Sequence, residues 1–258
     1  MINYLNKKII IIDNSDLSYT GDDINGTILR GTEASLILLS EQFVRMGINV
    51  DYCNTIDTKK NINGVNYFNK NNIDKNIIYD LAIAISDANE FNRVSSIKKA
   101  VFSNSNQPIE KFIRKKQLIP FLKYKPILIT LCDYQFKKRS FFTSFYGKKT
   151  IPITVDPMFL DIDVDDNFLP KRKVVYNIRS NRNLDQLIKI WCEKIFPTNN
   201  EFELYITPNL INYNDYHQKY NIFTRTIGSR SEMIEELKYY RALTYPGHKS
   251  DIFTLTAE

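Results

Sequence analysis

The feature that most constrains this chain is an alternation. Short apolar runs of strand length recur between stretches whose apolar residues fall at helical spacing, the signature of a parallel sheet covered on both faces by helices. The runs Ile9 to Ile12, Val50 to Cys53, Leu81 to Ile85, Ala100 to Ser103, Ile127 to Leu131 and Thr150 to Val155 form one series. The acidic segment Asp156 to Pro170 has no sustained period and reads as a linker. Beyond it a second series follows: Val174 to Asn177, Phe202 to Ile206, Ile222 to Arg225 and Ala242 to Tyr245. The expected fold is therefore α/β with two Rossmann-like domains, at residues 1–155 and 156–258. A chain of 258 residues is long enough to give each its own core. A wound domain of four strands that ends at Glu258 with no closing helix is expected to be incomplete, because the neighbours of its last strand would lie uncovered.

Three helices are marked in detail. Leu36, Leu39, Phe43 and Met46 recur at three- and four-residue spacing and predict one apolar stripe, with Gly47 where a C-cap belongs. Leu184, Leu187, Ile188 and Trp191 predict a second such face. Ser229 followed by Glu232 has the spacing of a capping box.

Composition excludes several classes. With 43% hydrophobic and 25% charged residues the chain is neither disordered nor fibrous. No run of eighteen apolar residues occurs, and the polar opening Met1 to Lys8 reads as neither a membrane span nor a signal peptide. Cys53, Cys132 and Cys192 lie far apart, and with only two histidines no disulfide framework or zinc site is indicated. A reducing cytoplasm fits best. The net charge of +6 suits nucleic acid, an anionic membrane face or a phosphorylated small ligand. The basic clusters Arg114 to Lys116 and Lys137 to Arg139 read either as solvated surface or as peripheral docking on a membrane, which leaves the inner membrane surface open as a location.

Candidate site residues follow from strand ends. The long loop after the first strand carries Gly21, Gly26 and Gly31 and ends at the first strong helix, where the backbone N–H groups of Gly31 and Thr32 would offer an anion or a sugar hydroxyl a seat; plain turn chemistry is the other reading. The spacing is not GxGxxG, which argues against a dinucleotide-dependent oxidoreductase. In the second series the run VVYN is followed directly by Arg179 and Arg182, at the strand end where ligands of open α/β sheets bind. Two guanidiniums there could neutralise a diphosphate, or simply be solvated. Asp251 and Glu258 follow the last strand and suit a ribose diol beside that diphosphate, while His248 and Lys249 read as surface residues.

Taken in order, the segments RGTEASLILLSEQFVRMGINVDYCN, VVYNIRSNRNLDQLIKIW, FELYI, IGSRSEMIEELKYYRA and YPGHKSDIFTLTAE carry a resemblance. The chain resembles a retaining glycosyltransferase of family 4, a member of the GT-B superfold. The resemblance implies transfer of a sugar from a nucleoside diphosphate sugar to a glycan, lipid or small-molecule acceptor, not nucleic acid. It implies retention of configuration, no cofactor beyond the donor and no obligatory metal. Arg182 and Arg179 are similar to the family's two basic residues against the diphosphate, Gly31 to the second glycine of its first motif, and Gly228 to the glycine beside the nucleotide. Glu258 resembles the ribose-binding glutamate, with Ser250 where the motif's first glutamate stands and Asp251 the carboxylate next to it. Arg30 occupies the place of the first motif's first glycine. Those departures leave a second reading open, a non-catalytic phosphate- or polyanion-binding module of the same fold.

Overall fold

The computed structural model describes residues 5–26, 29, 31–103, 108–151, 170–176, 183–206, 214–225 and 229–244. The chain falls into two compact units, Met1–Ile24 with Ile28–Thr154 and Asn25–Thr27 with Val155–Glu258.

In the first unit the elements run β1 (Lys8–Ile12), α1 (Gly31–Arg45), β2 (Asn49–Asn54), β3 (Lys60–Ile62), β4 (Val65–Asn69), β5 (Ile78–Ile85), β6 (Ser95–Ser103), α2 (Ile109–Arg114), α3 (Leu118–Tyr124), β7 (Ile127–Thr130), α4 (Asp133–Lys137) and β8 (Lys148–Thr150). The sheet order is β3-β4-β2-β1-β5-β6-β7-β8. Every neighbouring pair is parallel except β3 and β4.

The four isoleucines of β1 explain why this sheet is covered twice. Ile9 and Ile11 enter a core with Leu36, Ile37, Val50 and Tyr52, whereas Ile10 and Ile12 enter a second core with Ala82, Ala84, Phe91 and Phe112. A strand alternates its side chains, so only a run apolar at every position can serve both faces. Each isoleucine buried in this way contributes roughly 1.5–3 kcal/mol relative to exposure.

The helix following β1 differs in detail from the sequence expectation. Its buried positions are Glu33, Ala34, Leu36, Ile37 and Ser40, with Phe43 and Val44 packed beside them. Met46, expected on the apolar stripe, is 51% exposed. It is the last residue before Gly47, whose positive φ of 81° turns the chain away from the helix axis. Gly47 N–H donates to Val44 and Ile48 N–H to Phe43, the paired bonds of a Schellman cap. A side chain at Gly47 would also meet Leu5 Cδ2 at 2.8 Å.

The sequence series contained no β3 or β4. These short strands form a hairpin across Asn63 and Gly64, both at positive φ (52° and 83°), the geometry that an Asn-Gly pair favours in a two-residue turn. The run Thr150 to Val155 is described only at its start, where β8 ends on Thr150, and residues 152–155 lie outside the described residues.

The second unit holds β9 (Lys171–Tyr176), α5 (Leu184–Ile190), β10 (Glu203–Ile206), α6 (Asp215–Lys219), β11 (Ile222–Thr224), α7 (Arg230–Leu237) and β12 (Tyr240–Leu243). Its sheet is parallel throughout, in the order β11-β10-β9-β12. Leu184, Leu187 and Trp191 pack on Val174, Tyr176, Leu204 and Ile206, as their spacing predicts. Trp191 begins a wider turn that continues α5, and its indole N–H donates to the Tyr220 carbonyl at 2.8 Å. At the start of α7 the capping box is formed: Glu232 N–H donates to Ser229 Oγ, and Ser229 N–H donates to Glu232 Oε2.

Candidate functional site

In a wound parallel sheet, ligands sit beyond the carboxyl ends of the strands where the strand order reverses. Each unit has one such point. In the first, the chain runs from β1 outward through β2 and β4, then returns to β5 on the other side of β1. In the second, it runs from β9 through β10 to β11, then returns to β12 on the other side of β9.

The first reversal point is built from the residues that follow β1 and β5. Asp13 is buried, and its carboxylate accepts Ser15 N–H at 3.0 Å and the Tyr19 hydroxyl at 2.5 Å. Tyr19 spends its single proton on Asp13, so the Tyr52 hydroxyl, 2.5 Å from that of Tyr19, donates to Tyr19. Burial raises both phenols far above their ordinary values, so each stays a donor at any working pH. Asn54 at the end of β2 donates to the Tyr19 carbonyl at 2.7 Å. This network fixes the path of the chain from Asp13 to Tyr19 beyond β1. Gly21 completes the fixation, since a Cβ there would meet Ile62 Cγ2 at 2.9 Å.

Beyond β5, Ser86 adopts a positive φ of 57°, a conformation a non-glycine residue holds only when its surroundings fix it. Here Ser86 N–H donates to the Phe102 carbonyl, and buried Gln117 donates to the Ser86 carbonyl while accepting from Ala88 N–H. Asp87 then accepts Asn89 N–H at 2.9 Å through one oxygen and the Asn14 amide at 3.3 Å through the other. The last contact joins the loops after β1 and β5 across the reversal point. Asp87 also acts on Lys111, whose ammonium is lowered to about 8 by burial and by Lys115 and Arg114, against the opposing pull of Asp87.

Gly31 and Thr32 are the first two residues of α1. The first-turn amides of a helix have no partner within it, and its dipole places partial positive charge there. Ser35 Oγ donates to the Gly31 carbonyl at 2.8 Å, and buried Glu33 lies near enough to help raise Tyr52. Sequence reasoning did not single out Asp13, Tyr19, Tyr52, Ser86 or Asp87. One signal was present, the aspartate that immediately ends the run of four isoleucines.

At the second reversal point, β9 and β12 end side by side. Thr244 N–H and Oγ both donate to the Val175 carbonyl, at 2.8 and 3.0 Å. In the sequence Arg179 and Arg182 follow β9, and Ser250, Asp251 and Glu258 follow β12; these five residues, with Gly228, lie outside the described residues. At the end of β11 Arg225 is buried and paired with Glu236, which also accepts the Tyr240 hydroxyl at 2.6 Å. Among the described residues no cluster of three or more His, Cys, Asp or Glu could hold a metal ion. All three cysteines are free thiols. No helix among the described residues is long and apolar enough to cross a membrane.

Solved structures share this architecture. The glycosyltransferase AviGT4, involved in avilamycin A biosynthesis, matches 94% of this chain over 70% of its own length, with a TM-score of 0.59 at 10% identity. The fold is GT-B. An alpha-glucosyltransferase in complex with UDP matches 92% of the chain over 73% of its own, with a TM-score of 0.52 at 11% identity. The alpha-glucosyltransferase in complex with UDP and a 13-mer DNA containing an HMU base gives 0.53 at 10% identity, over 93% of this chain and 71% of that one. No protein-family model matches the sequence, and no curated protein matches it either.

Proposed function

We propose that the chain is a glycosyltransferase that takes a sugar from a nucleoside diphosphate sugar and transfers it to an acceptor hydroxyl with retention of configuration. The reading is carried by the reversal point between β9 and β12 together with the sequence, in which two arginines follow β9 and two carboxylates follow β12. Similarity in fold to glycosyltransferases crystallised with UDP supports it. In this reading Arg179 and Arg182 neutralise the diphosphate, Glu258 takes the ribose diol with Ser250 and Asp251 beside it, and Gly228 lets the backbone approach the nucleotide. As the bond between the anomeric carbon and the phosphate oxygen breaks, the diphosphate leaves with the electron pair. Fixed guanidiniums stabilise the charge that develops on it. The acceptor oxygen bonds the anomeric carbon on the face the diphosphate leaves, and its proton passes to the departing diphosphate oxygen. The first unit receives the acceptor, with the N-terminus of α1 at Gly31 and Thr32 turned to phosphate or sugar hydroxyls.

A thermal-shift screen against nucleoside diphosphate sugars tests the donor assignment. At about a hundred times its Kd, a ligand that binds only the native state adds about 2.7 kcal/mol, which for a protein of this size raises Tm by roughly 5–10 °C. One donor class is expected to give this shift, and Arg182→Ala is expected to abolish it. A screen with no shifting donor, or an Arg182→Ala variant that shifts like the parent, would overturn the assignment.

A further inference from the structure

We infer that the first unit carries a docking surface for an anionic lipid bilayer, formed by α2, α3 and the short turn Phe141–Ser144. The inference does not depend on the donor reading. Each of these three elements turns one phenylalanine inward. Phe112 from α2, Phe121 from α3 and Phe142 from the turn meet edge to face, with ring centroids 5.4 Å apart for Phe112 and Phe121, 5.1 Å for Phe112 and Phe142, and 6.2 Å for Phe121 and Phe142. Their shared anchor holds the three elements side by side, so their outer faces belong to one surface.

That surface is apolar where solvent would favour polar residues. Ile113 is 63% exposed, Ile119 77%, Phe141 76% and Phe145 61%, with Ile109 and Leu122 each at 42%. Single exposed apolar residues need no explanation, but five on three elements sharing one anchor, with Phe145 directly after the turn, mark an interaction site. The charge around them identifies the partner. Residues 108–151 hold eleven Lys and Arg against Glu110 and Asp133, a net +9 in a chain whose total is +6, so the rest of the chain is net negative. Arg114, Lys115, Lys116, Lys123 and Lys125 are all exposed on or beside α2 and α3. Exposed apolar side chains set among cations match an acyl boundary beneath anionic headgroups. Nucleic acid would also meet the cations, but it binds through stacking on aromatic rings. Four of the six exposed apolar residues are aliphatic and offer no such platform.

Co-sedimentation of the full chain with vesicles tests the inference. Binding to vesicles rich in phosphatidylglycerol is expected, with none to vesicles of phosphatidylcholine alone. Binding should fall by about tenfold or more in about 1 M salt, where the Debye length shrinks to about 3 Å. Ile119→Ser combined with Phe141→Ser should weaken it by a similar factor, as should Lys115→Glu combined with Lys116→Glu. These side chains are exposed, so an unchanged Tm verifies that each variant is folded. Three results would overturn the inference: no binding to anionic vesicles, equal binding by parent and folded variants, or binding to DNA fragments but not to vesicles, with the same variants losing the DNA.

Discussion

Replacing Glu236 with alanine is expected to destabilise the second unit by about 3 kcal/mol, the lower end of what is lost when one member of a buried ion pair is removed. The lower end applies because Glu236 is itself 31% exposed, whereas the side chain of its partner Arg225 is only 2% exposed. The Glu236 carboxylate accepts Arg225 through both oxygens and takes the Tyr240 hydroxyl as well. It therefore ties the end of β11 to α7 and to the first residue of β12. In the variant a buried guanidinium loses its carboxylate and a phenol loses its acceptor, and the guanidinium is the costlier loss because it is the more deeply enclosed. Glu236→Gln keeps an acceptor oxygen and is expected to lose about half as much. The chain has a single tryptophan, and Trp191 lies in the core of this unit, so its fluorescence during urea denaturation follows the second unit alone. A midpoint unchanged by Glu236→Ala would contradict the burial argument.

The corresponding expectation for the first unit concerns Asp51. This buried carboxylate on β2 accepts the Tyr79 hydroxyl at 2.7 Å and the Asn66 amide at 3.0 Å, and lies 3.4 Å from Lys8 Nζ. Lys8 also sits over the Tyr79 ring, 5.0 Å from its centroid. Burial and the bond to Asp51 raise the Tyr79 phenol well above its ordinary value, so it remains a donor that needs an acceptor. Asp51→Ala leaves that donor enclosed and deprives Lys8 of its counter-charge, for a cost of about 3 kcal/mol. Asp51→Asn should cost less, about 1–2 kcal/mol, since an amide oxygen can still accept from Tyr79. Circular dichroism at increasing urea measures both; equal midpoints for Asp51→Ala and the parent would show that the network adds nothing.

These two networks mark the limit of what could be read from the sequence. The four isoleucines of β1 announce a doubly covered strand because an unbroken apolar run has few other uses. The capping box at Ser229 and the cap at Gly47 are equally legible, since both are local bonds among residues three to five apart. Asp51 with Tyr79, and Arg225 with Glu236, are not legible in this way. Their partners are 28 and 11 residues distant, and a charge can be buried only once the fold has supplied its partner. The face of α1 is not legible at Met46 for a related reason. The stripe turns toward Ala34, Ile37 and Ser40, and small or polar residues do not register as core by their type. In the candidate site, Gly31 and Thr32 stand at the start of α1, where the loop and helix pattern located them. The Asp13, Tyr19 and Tyr52 network was hidden, because its members come from a loop and two strands that only the sheet brings together.

The central claim is that the second unit holds the nucleotide where β9 and β12 end. Hydrogen–deuterium exchange with saturating UDP, ADP and GDP in turn tests it most directly. At least one is expected to slow exchange in the segments that follow those strands, 177–183 and 244–258, while the backbone of the first sheet is unaffected. Exchange that none of the three slows in the second unit, or that slows only in the first, would contradict the account.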